Sequence, residues 1–222
     1  MKRLFLACVG VSVLAGAAAA ADLPPAAAPY YKAPAYAPAY NWSGFYIGVN
    51  GGGGLGRSSW DSTGSFDLSG GLVGGTVGYN YQAGQAVFGA EGDIDWTDLR
   101  GSTTAATCPI SCQTSNSWLS TVRGRLGYAA DRFMPYVTGG AAFGNINASS
   151  PPFGGANTTN AGWTVGGGIE FAIAGHWTAK AEYLFVDLGR FNCGAGCLGA
   201  GGVTDNVSFT SNILRGGINY RF

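Results

Sequence analysis

The sequence predicts an all-β fold: an eight-stranded antiparallel transmembrane β-barrel with short periplasmic turns and long extracellular loops. Three observations lead there. From Trp42 onward the chain breaks into eight segments in which apolar residues alternate with polar ones or glycine, the period-two signature of strands. The connections between these segments alternate short and long. Only 11% of the 222 residues are charged, while 46% are hydrophobic and 39 are glycine, a balance ill suited to a domain facing water on all sides. With 12 Phe, 11 Tyr and 6 Trp the chain is no solvated disordered polymer, and its aperiodic glycines exclude collagen. The 12 basic and 12 acidic residues cancel, so no nucleic-acid partner is implied.

The first element is a targeting segment. Lys2 and Arg3 precede an apolar run from Leu4 to Leu14 and then small residues, which reads as a secretory signal peptide over residues 1–20, cleaved before Ala21 or one residue later. Its apolar run is too short to span a membrane. Removing it leaves 10 basic and 12 acidic residues. Residues 21–41 follow, built from Pro, Ala and Tyr with Ala-Pro-Ala-Tyr twice in tandem at 33–36 and 37–40. Prolines every few residues deny this stretch a helix or central strand, so it is expected to be an extended periplasmic tether. The barrel is expected over residues 42–222.

The strands come next. The first, Phe45 to Leu55, sets Phe45, Ile47 and Val49 on one face and Tyr46, Gly48 and Asn50 on the other. The second, Leu72 to Tyr81, carries Val73, Val77, Tyr79 and Tyr81 on its apolar face; a tight turn at Ala83-Gly84, pairing Gln82 with Gln85, leads into the third. That strand, Ala86 to Trp96, turns Phe88, Ala90, Ile94 and Trp96 outward and Glu91, Asp93 and Asp95 inward. The fourth, Trp118 to Tyr128, opposes Trp118, Val122, Leu126 and Tyr128 to Arg123 and Arg125. The fifth runs from Pro135 to Phe143 and the sixth from Trp163 to Phe171, the latter with Glu170 inward. The seventh, Trp177 to Phe185, turns Lys180 and Glu182 inward, and the last closes the chain with Leu214, Ile218, Tyr220 and Phe222 against Arg215, Asn219 and Arg221. Stretches 57–71, 99–117, 144–162 and 188–208 are expected as the long loops.

Lipid on the outside resolves the composition. Isolated charges at mid-strand suit a lumen rather than a watered sheet face, and the aromatic strand ends Trp96, Trp118, Tyr128, Trp163 and Tyr183 suit interfacial girdles. Predicted strands of about 9 to 11 residues match a tilted crossing of the hydrocarbon layer. A barrel of this size has a lumen that side chains fill, so its charges must pair. Glu91, Asp93, Asp95, Glu170 and Glu182 are therefore expected to meet Arg123, Arg125, Lys180 and Arg215 in a salt-bridge network, with Arg221 as a fifth base. The three carboxylates Glu91-x-Asp93-x-Asp95 also have the spacing of an acid cluster for catalysis or metal binding, but the arginines of the adjacent strand favour a structural plug. No metal and no cofactor is expected.

Cys108, Cys112, Cys193 and Cys197 form two Cys-x3-Cys pairs, both in expected extracellular loops. In an exported chain they are disulfide candidates, with two intraloop bridges as the default, three connectivities open, and a four-thiolate zinc site as the alternative. His176 is the only histidine and falls in a short periplasmic turn, so no Ser-His-Asp or Cys-His set can form at the outer rim and no enzyme is expected. Haem binding would have to use tyrosine or cysteine.

Trp42-Ser43-Gly44-Phe45-Tyr46-Ile47-Gly48, the run from Pro135 to Gly144 and the run from Trp177 to Gly189 resemble the small outer-membrane surface-antigen barrels of alphaproteobacteria, which group with the OmpA-like and opacity-protein-like barrels. The resemblance implies an outer-membrane location in a Gram-negative bacterium, with membrane lipid and lipopolysaccharide as surroundings. Ile218, Tyr220 and Phe222 resemble the C-terminal assembly signal of such barrels, which implies recognition by the barrel-assembly machinery; Gly216 departs from a fully apolar version. The end of the sequence at Phe222 leads us to expect none of the peptidoglycan-binding domain that follows the barrel in OmpA. The expected role is a structural, surface-exposed barrel whose loops contact a host or environmental ligand, with a narrow diffusion channel and a haem-binding or adhesive receptor as alternatives. Oligomeric state is not set by the sequence.

Overall fold

The computed structural model describes residues 40–61, 64–105, 108–150, 154–192 and 206–222. The signal peptide, all but the last two residues of the tether, Cys193 and Cys197 lie outside them. Among the described residues every regular element is a strand: β1 (Gly44–Trp60), β2 (Gly64–Ala83), β3 (Ala86–Ala105), β4 (Cys108–Tyr128), β5 (Phe133–Ser150), β6 (Gly154–Ala174), β7 (Trp177–Asn192) and β8 (Asn206–Arg221). Each pairs antiparallel with its sequence neighbour, and β1 pairs with β8 to close the barrel. Following the register from Ile47 through Val77, Gly92, Val122, Ala141, Trp163, Asp187 and Thr210 returns to Arg57, ten residues further along β1. That stagger tilts the strands against the barrel axis, as closure requires.

The short turns have a common cause. Each is a two-residue loop whose first residue has positive φ: Gly84 (63°), Asp131 (54°) and Gly175 (52°), the backbone that suits the twist of a hairpin. This moves one expectation. Gly84 must take the first loop position, so Ala83 pairs with Ala86 and Tyr81 with Phe88, not Gln82 with Gln85. Parity survives, because Tyr81 still opposes an outward residue.

The faces follow the alternation. Phe45, Ile47, Val49, Val73, Val77, Ile94, Val122, Val137, Ile169, Leu214 and Ile218 lie exposed on the outer wall, while Tyr46, Glu91, Arg123, Glu170, Lys180 and Arg215 are buried in the lumen. The expected strand bounds do not hold. The strands run 16 to 21 residues, and stretches expected as loops are mostly extended hairpin arms. Cys108 and Cys112 accordingly belong to the backbone of β4, paired with Ala105 and Thr103, rather than to a loop.

The reason is a change of solvent along each strand. The expected bounds trace the band in contact with lipid, where outward residues are apolar. Beyond it the outward positions become Arg57, Asp67, Asp98 and Arg100, and the inward ones become Trp60, Phe66, Leu68, Leu99, Leu188 and Phe209. Alternation with period two continues, but its polarity inverts where the wall leaves the membrane. A reading that assigns the apolar face to the outside loses the pattern there.

Curvature explains much of the glycine. On the concave inner wall a Cβ at Gly140 would press on the backbone of Val122 and come within 2.7 Å of the Arg123 Cα, whereas outward Gly124 meets nothing closer than 3.9 Å. Inward glycines let neighbouring strands bend round a small lumen without collision.

Candidate functional site

The buried side chains that face the lumen form three layers. The middle layer is ionic. Arg123 on β4 donates to Glu91, to Asp93 at 2.9 Å and to Glu182 at 2.8 Å, and its Nε donates to Thr121 at 2.8 Å. Arg215 on β8 donates through one Nη1 to both Asp93 (2.8 Å) and Asp95 (2.7 Å), and through Nε to Glu182 (2.8 Å). Lys180 on β7 straddles the two oxygens of Glu91 at 3.0 and 3.1 Å. Arg125 reaches Glu170 on β6 at 2.7 Å, and Glu170 also accepts from Thr178 and Asn219. All nine residues are buried, and every carboxylate is bonded to a cation.

Strand alternation puts these side chains on one wall, and adjacency brings acid to base. Glu91 pairs in register with Arg123, Glu182 with Arg215, and Glu170 with Lys180. Across a lumen this narrow the long side chains then reach past their neighbours, so Lys180 bonds to Glu91 rather than to Glu170.

Arg221 is a correction. It is only half-buried and lies at the periplasmic rim, its guanidinium 4.3 Å from the centre of the Tyr40 ring, outside the network. It is the last residue of β8, where the wall ends and no lumen remains to enclose it. The network thus has five carboxylates and four cations.

Sequence reasoning missed two phenols. The Tyr46 hydroxyl donates to Glu91 at 2.7 Å and accepts from Arg125 at 3.0 Å, and Tyr136 donates to Glu182 at 3.1 Å. The Arg125 guanidinium lies 4.0 Å from the centre of the Tyr136 ring, a buried cation–π contact. The signal was available: Tyr46 alternates with lipid-facing Phe45 and Ile47, and so had to point inward. With Tyr46 on β1 and Tyr136 on β5, seven strands contribute to the ionic layer.

The flanking layers are apolar. On the extracellular side Trp60, Phe66, Leu68, Leu99, Leu184 and Phe209 belong to one buried cluster. On the periplasmic side Trp42 packs with Val87, Ala129, Met134, Tyr136 and Ala172. Trp42 is 1% exposed, its indole donates to the Asp131 carbonyl at 3.0 Å, and its backbone N–H donates to Gln82 at 2.7 Å. Tyr40 stands edge-on to Trp42 at 4.8 Å, and burial raises the pKa of its hydroxyl against the pull of Arg221. The chain just before β1 therefore straps across the periplasmic mouth to the β4–β5 turn.

Outside, Trp96 opposes Trp118 in register, and Trp163 stacks on Phe185 at 5.4 Å. At the periplasmic rim Tyr220 gathers Trp177 (5.1 Å), Phe222 (5.4 Å) and His176 (5.7 Å), while Ile218 and Phe222 face lipid. Such aromatic belts mark membrane interfaces.

A closed barrel with an apolar, aromatic-banded outer wall and its mid-strand charges buried on the inner wall is an integral outer-membrane β-barrel. The outer membrane protein beta-barrel domain family matches residues 6–222, and the chain belongs to it. It is 36% identical over 252 aligned residues to the 31 kDa outer-membrane immunogenic protein of Brucella melitensis, covering all of both chains. It is 35% identical over 152 residues to the 22 kDa outer membrane protein of Rhizobium leguminosarum bv. viciae, covering 68% of this chain and 66% of that one. Among solved structures it resembles Neisserial surface protein A, at a TM-score of 0.47 and 16% identity over 81% of this chain and 98% of that one. The protein is located in the bacterial outer membrane.

Proposed function

We propose that the protein is a sealed structural barrel that reinforces the outer membrane and presents its extracellular arms and loops to the surroundings, with no transport path and no catalytic centre. The observation that carries this reading is the three-layer lumen: an apolar stopper around Trp42, an ionic layer centred on Arg123 and Arg215, and an apolar plug around Leu68 and Phe209. A water-filled path would have to displace all three. Each carboxylate is bonded to a cation, which supports bracing rather than proton transfer or metal binding. Surface presentation is supported by the polar outer wall above the lipid band and by the immunogenic character in the names of the Brucella relatives.

The reading includes export by the segment 1–20, a tether over 21–41, and assembly through Ile218, Tyr220 and Phe222. Liposome swelling tests it. Vesicles carrying the protein should swell in small sugars and amino acids no faster than empty vesicles; size-dependent swelling would refute a sealed lumen.

A further inference from the structure

We infer that the outer wall of β3, β4 and β5, immediately above the lipid band, binds the saccharide headgroup of an outer-leaflet glycolipid. Two rows of directly opposed residues cross these three strands on the outward face: Arg100, Ser115 and Asn147, and above them Ser102, Gln113 and Ser149. They line a groove of about 500 Å³. Below it Trp96 and Trp118 face each other in register, with Trp96 65% exposed. The groove is thus continuous with the lipid-contacting surface and lies at the level of the outer-leaflet headgroups.

Its shape has a local cause. The register slips between Trp96 and Leu99 against β4, and between Ser115 and Leu119 against β5, so the wall bends where it leaves the membrane. Its chemistry differs from the wall on the other side. On β1 and β2, Ser59 bonds to Ser65 at 2.7 Å and Arg57 to Asp67 at 3.0 Å, so those groups satisfy one another. In the groove, among the described residues, the side chains of Ser102, Ser115, Asn147 and Ser149 bond to no protein group. Arg100 is held by Asp98 at 2.5 Å, which orients its guanidinium and leaves the site without net charge. Hydroxyl and amide groups above a pair of indoles suit a sugar, which offers hydroxyls at its rim and C–H faces to stack. Acyl chains in the bilayer hold the sugar at this height, so individually weak bonds act at high effective concentration.

The test titrates the full mature protein in detergent with purified lipopolysaccharide, following tryptophan fluorescence, with the soluble core oligosaccharide and sugar-free phospholipid as separate arms. The triple variant R100Q/S115A/N147A should bind lipopolysaccharide about tenfold more weakly, the loss expected from a few net hydrogen bonds. S59A/S65A should match the unsubstituted protein, and heat-modifiable gel migration verifies that each variant is folded. Competition by the oligosaccharide supports the proposal. Equal binding by the triple variant, equal binding of phospholipid, or no binding at all would overturn it.

Discussion

Arg123 on β4 and Glu182 on β7 bond at 2.8 Å across the lumen, although their strands are not neighbours in the barrel. A chord of this kind fixes the cross-section in a way that sheet hydrogen bonds, which run only between adjacent strands, do not. It also makes one guanidinium the shared partner of Glu91, Asp93 and Glu182.

Removing that guanidinium should be costly, because it takes a cation from three buried carboxylates at once, and breaking a buried ionic network by deleting one member costs about 3–5 kcal/mol. Arg123→Met is expected to destabilise the barrel by that amount in urea unfolding from lipid vesicles. Lys180→Met should cost clearly less, because it takes a cation from Glu91 alone, which retains Arg123, Arg125 and Tyr46. Equal losses from the two variants would refute the hierarchy.

The curvature account separates two glycines on neighbouring strands. Gly140→Ala forces a methyl against the Arg123 backbone and should cost about 1–3 kcal/mol, as overpacking does. Gly124→Ala points into lipid and should stay within about 0.5 kcal/mol of the parent. The same unfolding assay decides, and a reversed order would contradict the assignment of faces.

Trp42 fills the periplasmic mouth from outside the strands. Trp42→Ala is expected to lose about 3–5 kcal/mol, the range for emptying a buried aromatic site. Amide exchange should rise at Val87, Met134 and Ala172, its packing partners, while the Leu68 and Phe209 layer stays protected. Uniform loosening of the whole barrel would contradict separate layers.

We propose that the four cysteines of the mature chain are oxidised as disulfides, and a simple assay tests it. Alkylation of the exported protein before reduction should find no free thiol at Cys108, Cys112, Cys193 or Cys197. Cys108 and Cys112 lie four residues apart on β4 but pair with Ala105 and Thr103, two residues apart on β3, so the strand bulges between the two cysteines. Four reactive thiols would refute the proposal.

Much of the architecture was legible because one rule, alternation with lipid outside, acts on every strand in the band. It gave the strand number, the faces and the nine charged lumen residues. It failed at Leu68, Leu99 and Phe209, where the outer solvent becomes water and the same period carries the opposite polarity. It included Arg221 because parity says which way a residue points, but not whether any lumen remains at its height. Tyr46 and Tyr136 went unassigned because an inward aromatic suggests packing, whereas its hydroxyl and ring here serve the ions. Partner choice across the lumen, as between Lys180 and Glu91, depends on side-chain reach in three dimensions, which register alone does not contain.

The sealed lumen is the central claim, and single-channel recording of the purified mature protein in a planar bilayer tests it most directly. The account predicts no stable, reproducible conductance step above the bare-bilayer baseline. A uniform open level that recurs across insertions would contradict it, most of all if Trp42→Ala or Arg123→Met left that level unchanged.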